Sequence, residues 1–261
     1  MPPADTAAAR AMWVWSGPDP EVLVDFARCK GVATLFVAVC PDVATSPDLP
    51  RLRRLTALAD AVGIRLDALG GEPHWATDHA AASAWARAAA GTGLFTGIHV
   101  DVEPYALAAW SGSASRARLV RSYLGLLDAL QQETHETGHT LEVDVPFWWQ
   151  TVPVGDHTLA DAVLTRVDAV TVMSYRDRAT GPDSITAVGA DLLERAAAAQ
   201  RPVRLAAETN PVPDCPSCTF AGRTASELRD ALAEVDRAEA STPAFAGIAV
   251  EDYDGWRALR E

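Results

Sequence analysis

The chain has 261 residues, 49% hydrophobic and 22% charged, with a mean hydropathy of +0.02, which places it near the size of one large α/β domain. Twenty-two basic against thirty-five acidic residues leave a formal net charge of −13, a field that repels phosphate backbones and anionic lipids, so neither nucleic-acid nor membrane partners are expected. No window approaches the roughly 20 apolar residues of a membrane helix, and Met1-Pro2-Pro3-Ala4-Asp5 lacks the basic end and apolar run of a secretory signal, so the expectation is a cytoplasmic chain, or a secreted one if a leader was removed.

Short apolar runs bounded by turn signals alternate with helical patterns along the whole chain. Met12 to Trp15 reads as the first strand and Asp19 to Lys30 as its helix, with Asp19 as cap, Pro20 in the first turn and Gly31 as the stop. Thr34 to Cys40 and Arg65 to Leu69 are the next strands, followed by helices at Leu49 to Val62 and Thr77 to Ala90. Gly97 to Glu103 is the fourth strand, and the long helix Ser113 to Thr137 after it stops at Gly138. Strands at Leu141 to Phe147, Ala169 to Tyr175, Val203 to Thr209 and Gly247 to Asp252 follow. Their helices are Leu159 to Val167, Ser184 to Gln200, Thr224 to Ala240 and Gly255 to Arg260. Eight strand-helix repeats without a linker predict a single (β/α)8 TIM barrel over residues 1–261. Ser16-Gly17-Pro18-Asp19 lacks the glycine fingerprint of a dinucleotide site, and no cofactor is expected.

In such barrels chemistry sits at the carboxyl ends of the strands, and here the sequence delivers acids and tryptophans. Alternation along Gly97-Ile98-His99-Val100-Asp101-Val102-Glu103 sends His99, Asp101 and Glu103 to one face, leaving the aliphatic face for the helix layer. Two carboxylates about 6–7 Å apart at their Cα atoms repel and favour retention of one proton, which makes a general acid at neutral pH. Asp144, Asp177, Glu208, Glu251 and Asp252 bring further acids to the same rim, with Asp177 and Asp252 equally readable as loop caps. Arg204 is in phase with Glu208 and suits a structural ion pair with Glu142 or Asp144 deeper in the barrel. Trp15, Trp75, Trp110, Trp148 and Trp149 fall at or after strand ends, where indole faces beside carboxylates suit pyranose rings; the competing role is hydrophobic roofing.

These segments resemble the chitinase-like family 18 glycosidases, whose fourth strand carries D-G-x-D-x-D-x-E and whose sixth carries Met-x-Tyr-Asp. The corresponding residues are Thr96 to Glu103 and Met173-Ser174-Tyr175-Arg176-Asp177. The resemblance implies that Glu103 protonates the glycosidic oxygen, that Asp101 orients the substrate's own acetamido group as nucleophile, and that Tyr175 supports the intermediate. Thr96 and His99 depart from the two earlier acids of that pattern, Arg176 is inserted, and Glu251 stands where an aromatic closes the last strand. The chain is also similar to a group of uncharacterised bacterial barrels sharing a tryptophan-rich first strand, M-x-Y-R-D, E-T and D-Y-x-x-W, here Trp13-Val14-Trp15, Met173 to Asp177, Glu208-Thr209 and Asp252 to Trp256.

The expected activity is a glycoside hydrolase whose partner is a carbohydrate or glycoside, with Glu103, Asp101 and Tyr175 catalytic. Trp15, Trp75, Asp144, Trp148, Trp149, Met173, Asp177, Glu208 and Glu251 are expected to contact the substrate. Three alternatives stay open. A second carboxylate, Glu208 or Glu251, acts as nucleophile; the acids and His99 hold Mg²⁺ or Mn²⁺; or the barrel binds sugar without cleaving it. Cys215-Pro216-Ser217-Cys218 lacks the context of a redox or zinc motif and reads as a loop clasp or two idle thiols.

Overall fold

A computed structural model describes residues 9–261; the Met1 to Asp5 segment read above lies outside the described residues. Eight parallel strands close in the order β1-β10-β9-β8-β5-β4-β3-β2. They are β1 Arg10–Val14, β2 Val32–Ala38, β3 Arg65–Gly70, β4 Gly97–Val100, β5 Thr140–Pro146, β8 Ala169–Met173, β9 Val203–Glu208 and β10 Phe245–Glu251. The helices are α1 Pro20–Cys29, α2 Leu49–Asp60, α3 His79–Gly91, α4 Ser113–Glu136, α5 Leu159–Leu164, α6 Ile185–Ala199, α7 Ala225–Glu239 and α8 Tyr253–Ala258. The architecture is the expected (β/α)8 barrel. A two-residue hairpin, β6 Pro153–Val154 with β7 His157–Thr158, is an addition between β5 and α5.

The caps follow from the sequence. Asp19 accepts hydrogen bonds from the Glu21 and Val22 N–H groups ahead of Pro20, and Gly31 leaves α1 at φ 69°, where a side chain would strain the backbone. Thr224 and Glu227 form a reciprocal capping box that starts α7, and Leu228, Leu232 and Val235 turn its buried face inward. The outward faces of the strands, including Val14, Val37, Val100, Val143 and Val172, pack under the helices in one continuous core. Each such side chain contributes about 1.5–3 kcal/mol through burial.

Inside the cylinder a second cluster of Ala11, Trp13, Phe36, Leu69, Ala206 and Ala249 fills the middle layer. Beneath it Arg204 on β9 pairs with Glu142 on β5, the ion pair expected from phase, and Thr171 donates to the same carboxylate at 2.6 Å. Burial pushes Glu142 up, but the Arg204 and His99 charges with the Arg204 and Thr171 hydrogen bonds together hold the carboxyl below its ordinary value. The inner cluster and this ion pair thus fill the barrel interior.

Among the strand ends that differ from the sequence reading, those of β4 and β1 bear on the site. β4 stops at Val100 because the last ladder bond, from Asp101 N–H to the Gly70 carbonyl at 3.0 Å, is followed by Pro104 and a 3-10 turn. β1 runs from Arg10, anchored at 3.0 Å to Asp236 on α7, and ends before Trp15.

Candidate active site

The inward face of the upper strand ends carries Trp15, Asp101, Tyr175, Glu208 and Glu251, with His99 and Asp144 one layer below. His99 is fully buried, stacks on Phe36 at 3.7 Å between centroids, and shares a proton with Asp144 through Nε2 at 2.9 Å. Trp13 Nε1 donates to the same Asp144 oxygen at 3.1 Å. Burial opposes charge on His99, yet the Asp144 carboxylate beside it outweighs burial and raises the imidazole above its usual value. An imidazole on β4 and a carboxylate on β5 thus form one buried pair across adjacent strands.

Asp101 and Glu103 follow the carboxyl end of β4, close enough that the Glu103 charge acts on Asp101. Burial pushes the Asp101 carboxyl well above the usual carboxylate range, and the charges of Asp144 and Glu103 push it the same way. Burial and these charges together favour the protonated form of Asp101. Asp101 reaches this position because Gly71 has no side chain: a Cβ there would lie 2.0 Å from the Asp101 carbonyl oxygen. Glu103 is half-buried and accepts a hydrogen bond from the Tyr105 hydroxyl.

Tyr105 also opens an aromatic ledge that the sequence reading did not assemble. Its ring meets Trp148 edge-on at 5.4 Å and Trp110 at 6.3 Å, and Trp110 meets Trp148 at 5.9 Å. These rings come from the turns after β4 and β5, so the ledge adjoins Glu103. The P-Y-A turn directly after Glu103 was the available signal for Tyr105.

The wall across the barrel is built from β9 and β10. Trp15, 39% exposed, donates from Nε1 to Glu251 at 2.6 Å. Burial raises Glu251 well above its ordinary value, the Glu208, Asp144 and Asp101 charges add to that, and the Trp15 bond opposes it. Tyr175 leans on the inner cluster, and burial with the charges of Glu251, Asp144, Glu208 and Asp101 holds its hydroxyl protonated. Met173 ends β8 on the same inward face, half-buried.

Several expected contacts fall elsewhere. Trp75 is 4% exposed and packs on Trp85 beneath α3, and Trp149 is fully buried against Tyr123 of α4, so both are core and present no face to a ligand. Asp177 pairs with Arg223 at 2.5 Å and is drawn to the outer rim. Glu208 accepts from Thr209 N–H, Asn210 N–H and Asn210 Nδ2 on a single oxygen, which ties it to its own turn. Asp252 caps α8 through Gly255 N–H. Asp144 is 2% exposed and lies below the ligand layer, though its Oδ1 has no hydrogen-bond partner. Cys215 and Cys218 form a disulfide, the clasp reading of that motif. Among the described residues no group of three or more His, Cys, Asp or Glu is placed to hold a metal ion, and no helix is long and apolar enough to cross a membrane.

The fold is that of family 18 chitinases. The chain is similar to the chitinase of Chromobacterium violaceum, with 15% identity, TM-score 0.60, and coverage of 97% of this chain and 98% of that one. A GH18 chitinase from Pseudoalteromonas aurantia matches at 14% identity and TM-score 0.61 over 96% and 98% of the two chains. The spore cortex-lytic enzyme SleL of Bacillus megaterium matches at 12% identity and TM-score 0.61 over 95% of this chain and 71% of that one. No protein-family model matches the sequence, and no curated protein matches it.

Proposed function

We propose that the protein is a glycoside hydrolase that cleaves β-linked hexosamine oligomers, with Glu103 as general acid and base. The observation that carries this reading is the pair of acids Asp101 and Glu103 just past the end of β4, beside the Tyr105, Trp110 and Trp148 ledge. Glu103 exchanges its bond from the Tyr105 hydroxyl for the glycosidic oxygen and delivers a proton to the leaving sugar. The proton that Glu103 delivers comes from Asp101, which, once ionised, accepts the N–H of the substrate's 2-acetamido group and so aims the acetamido oxygen at the anomeric carbon. That oxygen forms the new bond while the glycosidic bond breaks; Glu103 then deprotonates the water that opens the resulting ring. Tyr175 and the Asp144 charge stabilise the positive charge on the intermediate from below. Trp148 stacks on a pyranose face, and Trp15 with Glu251 and Met173 lines the opposite wall. The resemblance in fold to family 18 chitinases supports this assignment.

The test is hydrolysis of penta-N-acetylchitopentaose followed by proton NMR. New reducing ends in the β configuration before mutarotation are the expected result. Products that appear first as the α anomer contradict participation by the acetamido group, and absence of cleavage contradicts the hydrolase assignment.

A further inference from the structure

Arg176, inserted between Tyr175 and Asp177, and the Cys215-Pro216-Ser217-Cys218 motif take no part in the proposed hydrolysis, yet the fold brings them together. The connection from β9 to α7, residues 209–224, returns on itself. Phe220 N–H donates to the Glu208 carbonyl at 2.8 Å, and the Thr219 hydroxyl donates to the Asn210 carbonyl at 2.6 Å. The disulfide closes the tip of this loop, where the Ser217 carbonyl accepts a hydrogen bond from Asp177 N–H at 2.8 Å. Beside it Arg176 Nη1 lies 3.7 Å from Cys218 Sγ and donates to the Tyr175 carbonyl at 2.7 Å, while Nε pairs with Asp183 at 2.6 Å. The guanidinium so held sits 5.0 Å from the centroid of Phe147, the residue that opens the turn carrying Trp148. One chain of contacts thus runs from the disulfide through Arg176 to the turn of the aromatic ledge and to the backbone of Tyr175.

The span of the disulfide decides what it can control. A bridge between residues three apart restricts the unfolded chain far less than a long-range one, so its effect falls on the course of the loop tip. Both cysteines are half-buried, and Asp214, Pro216 and Ser217 around them are exposed, which leaves the sulfurs within reach of a small thiol. We propose that the Cys215–Cys218 clasp is a thiol-sensitive setting of the mouth, acting through Arg176. Intact, it seats Arg176 as a positioning residue for Tyr175 and for the Phe147–Thr151 turn; reduced, it lets both loosen. The chemistry is a two-electron exchange with a dithiol reductant. One reagent thiolate attacks a cysteine sulfur, and the other cysteine leaves as a thiolate and takes up a proton. The second reagent thiol then displaces the mixed disulfide, which gives two cysteine thiols and a cyclic reagent disulfide. The kinetic consequence rests on the glycosidase reading; the loosening of the turn does not.

The experiment treats the protein with dithiothreitol and confirms the new thiols at Cys215 and Cys218 by alkylation and mass spectrometry. It then follows amide exchange in Phe147–Thr151 and in residues 175–177, together with kcat and KM on penta-N-acetylchitopentaose. Faster exchange in both segments is expected, with kcat/KM lower by about fivefold or more, mainly through KM, and both recovered on reoxidation by glutathione disulfide. The double variant Cys215→Ser with Cys218→Ser is expected to match the reduced wild type and to ignore dithiothreitol, which separates the clasp from the free Cys29 and Cys40. Arg176→Met keeps the disulfide and removes the link, so its KM and its Phe147–Thr151 exchange are expected not to respond to reduction. Unchanged exchange in protein whose two thiols are shown free overturns the inference, as does unchanged kcat/KM in an enzyme that cleaves the oligomer. A response to dithiothreitol that persists in the double variant or in Arg176→Met overturns it too. Absence of cleavage in every state overturns the hydrolase reading instead, and exchange in Phe147–Thr151 then decides the clasp alone.

Discussion

Single residues set the charge state of the mouth, and each has a measurable signature. Glu251 is held above its ordinary value by burial and by the acids around it. A carboxyl whose folded value is raised contributes stability below the unfolded value and loses it as pH rises through the folded one. Wild type is therefore expected to lose stability relative to Glu251→Gln as pH rises above the usual carboxylate range. The variant should be more stable by on the order of 1 kcal/mol at pH 8 and equal at pH 4, as measured by urea unfolding. The reverse trend would place Glu251 in a compensated ion pair. Gly71 is a second case. A methyl group at that position meets the Asp101 backbone at 2.0 Å, so Gly71→Ala must displace the strand end that carries the acid pair. The expected loss is about 1–3 kcal/mol in thermal unfolding, with turnover falling further than stability. Alternation along the fourth strand predicts an inward Asp101 and Glu103, but the strand itself stops at Val100. The rise of the Asp101 carboxyl was not legible, because it depends on burial and on Asp144 arriving from another strand.

At the scale of elements, the turn Phe147–Thr151 shows what sequence withholds. Trp148 and Trp149 are adjacent and read alike, but a tight 3-10 turn points successive side chains in different directions. One joins the ledge beside Glu103, and the other packs on Tyr123 in the helix layer. Trp148→Ala is expected to raise KM while unfolding stays close to wild type, and Trp149→Ala to cost about 3–5 kcal/mol. Interchange of those two outcomes in paired thermal and kinetic measurements would reverse the assignment. The same limit explains Trp75, whose place beneath α3 is set by Trp85 from a different helix. Strand ends were also read too long, because the acids that follow β4 and the tyrosine that follows β8 keep an extended pattern after ladder pairing stops.

For the whole molecule, the barrel was legible because its signal repeats: eight apolar runs, each followed by a helical stretch, admit few other closed arrangements. Phase within the strands extended that legibility to the Arg204 and Glu142 pair. What phase could not supply was the division of the rim acids between structure and mouth. Glu208, Asp177 and Asp252 are engaged by their own turns or by Arg223, and those partners lie in loops whose course only the fold determines. What remains at the carboxyl end is Asp101 with Glu103 after β4 and Glu251 at the end of β10, with an aromatic ledge beside Glu103. The most direct measurement is turnover and calorimetric binding of one chitin-type oligomer by wild type and Glu103→Gln at the same pH. A fall in kcat of about 100-fold to 10,000-fold with affinity retained within a few-fold is the expected result. Equal turnover in the two proteins would contradict the role given to Glu103.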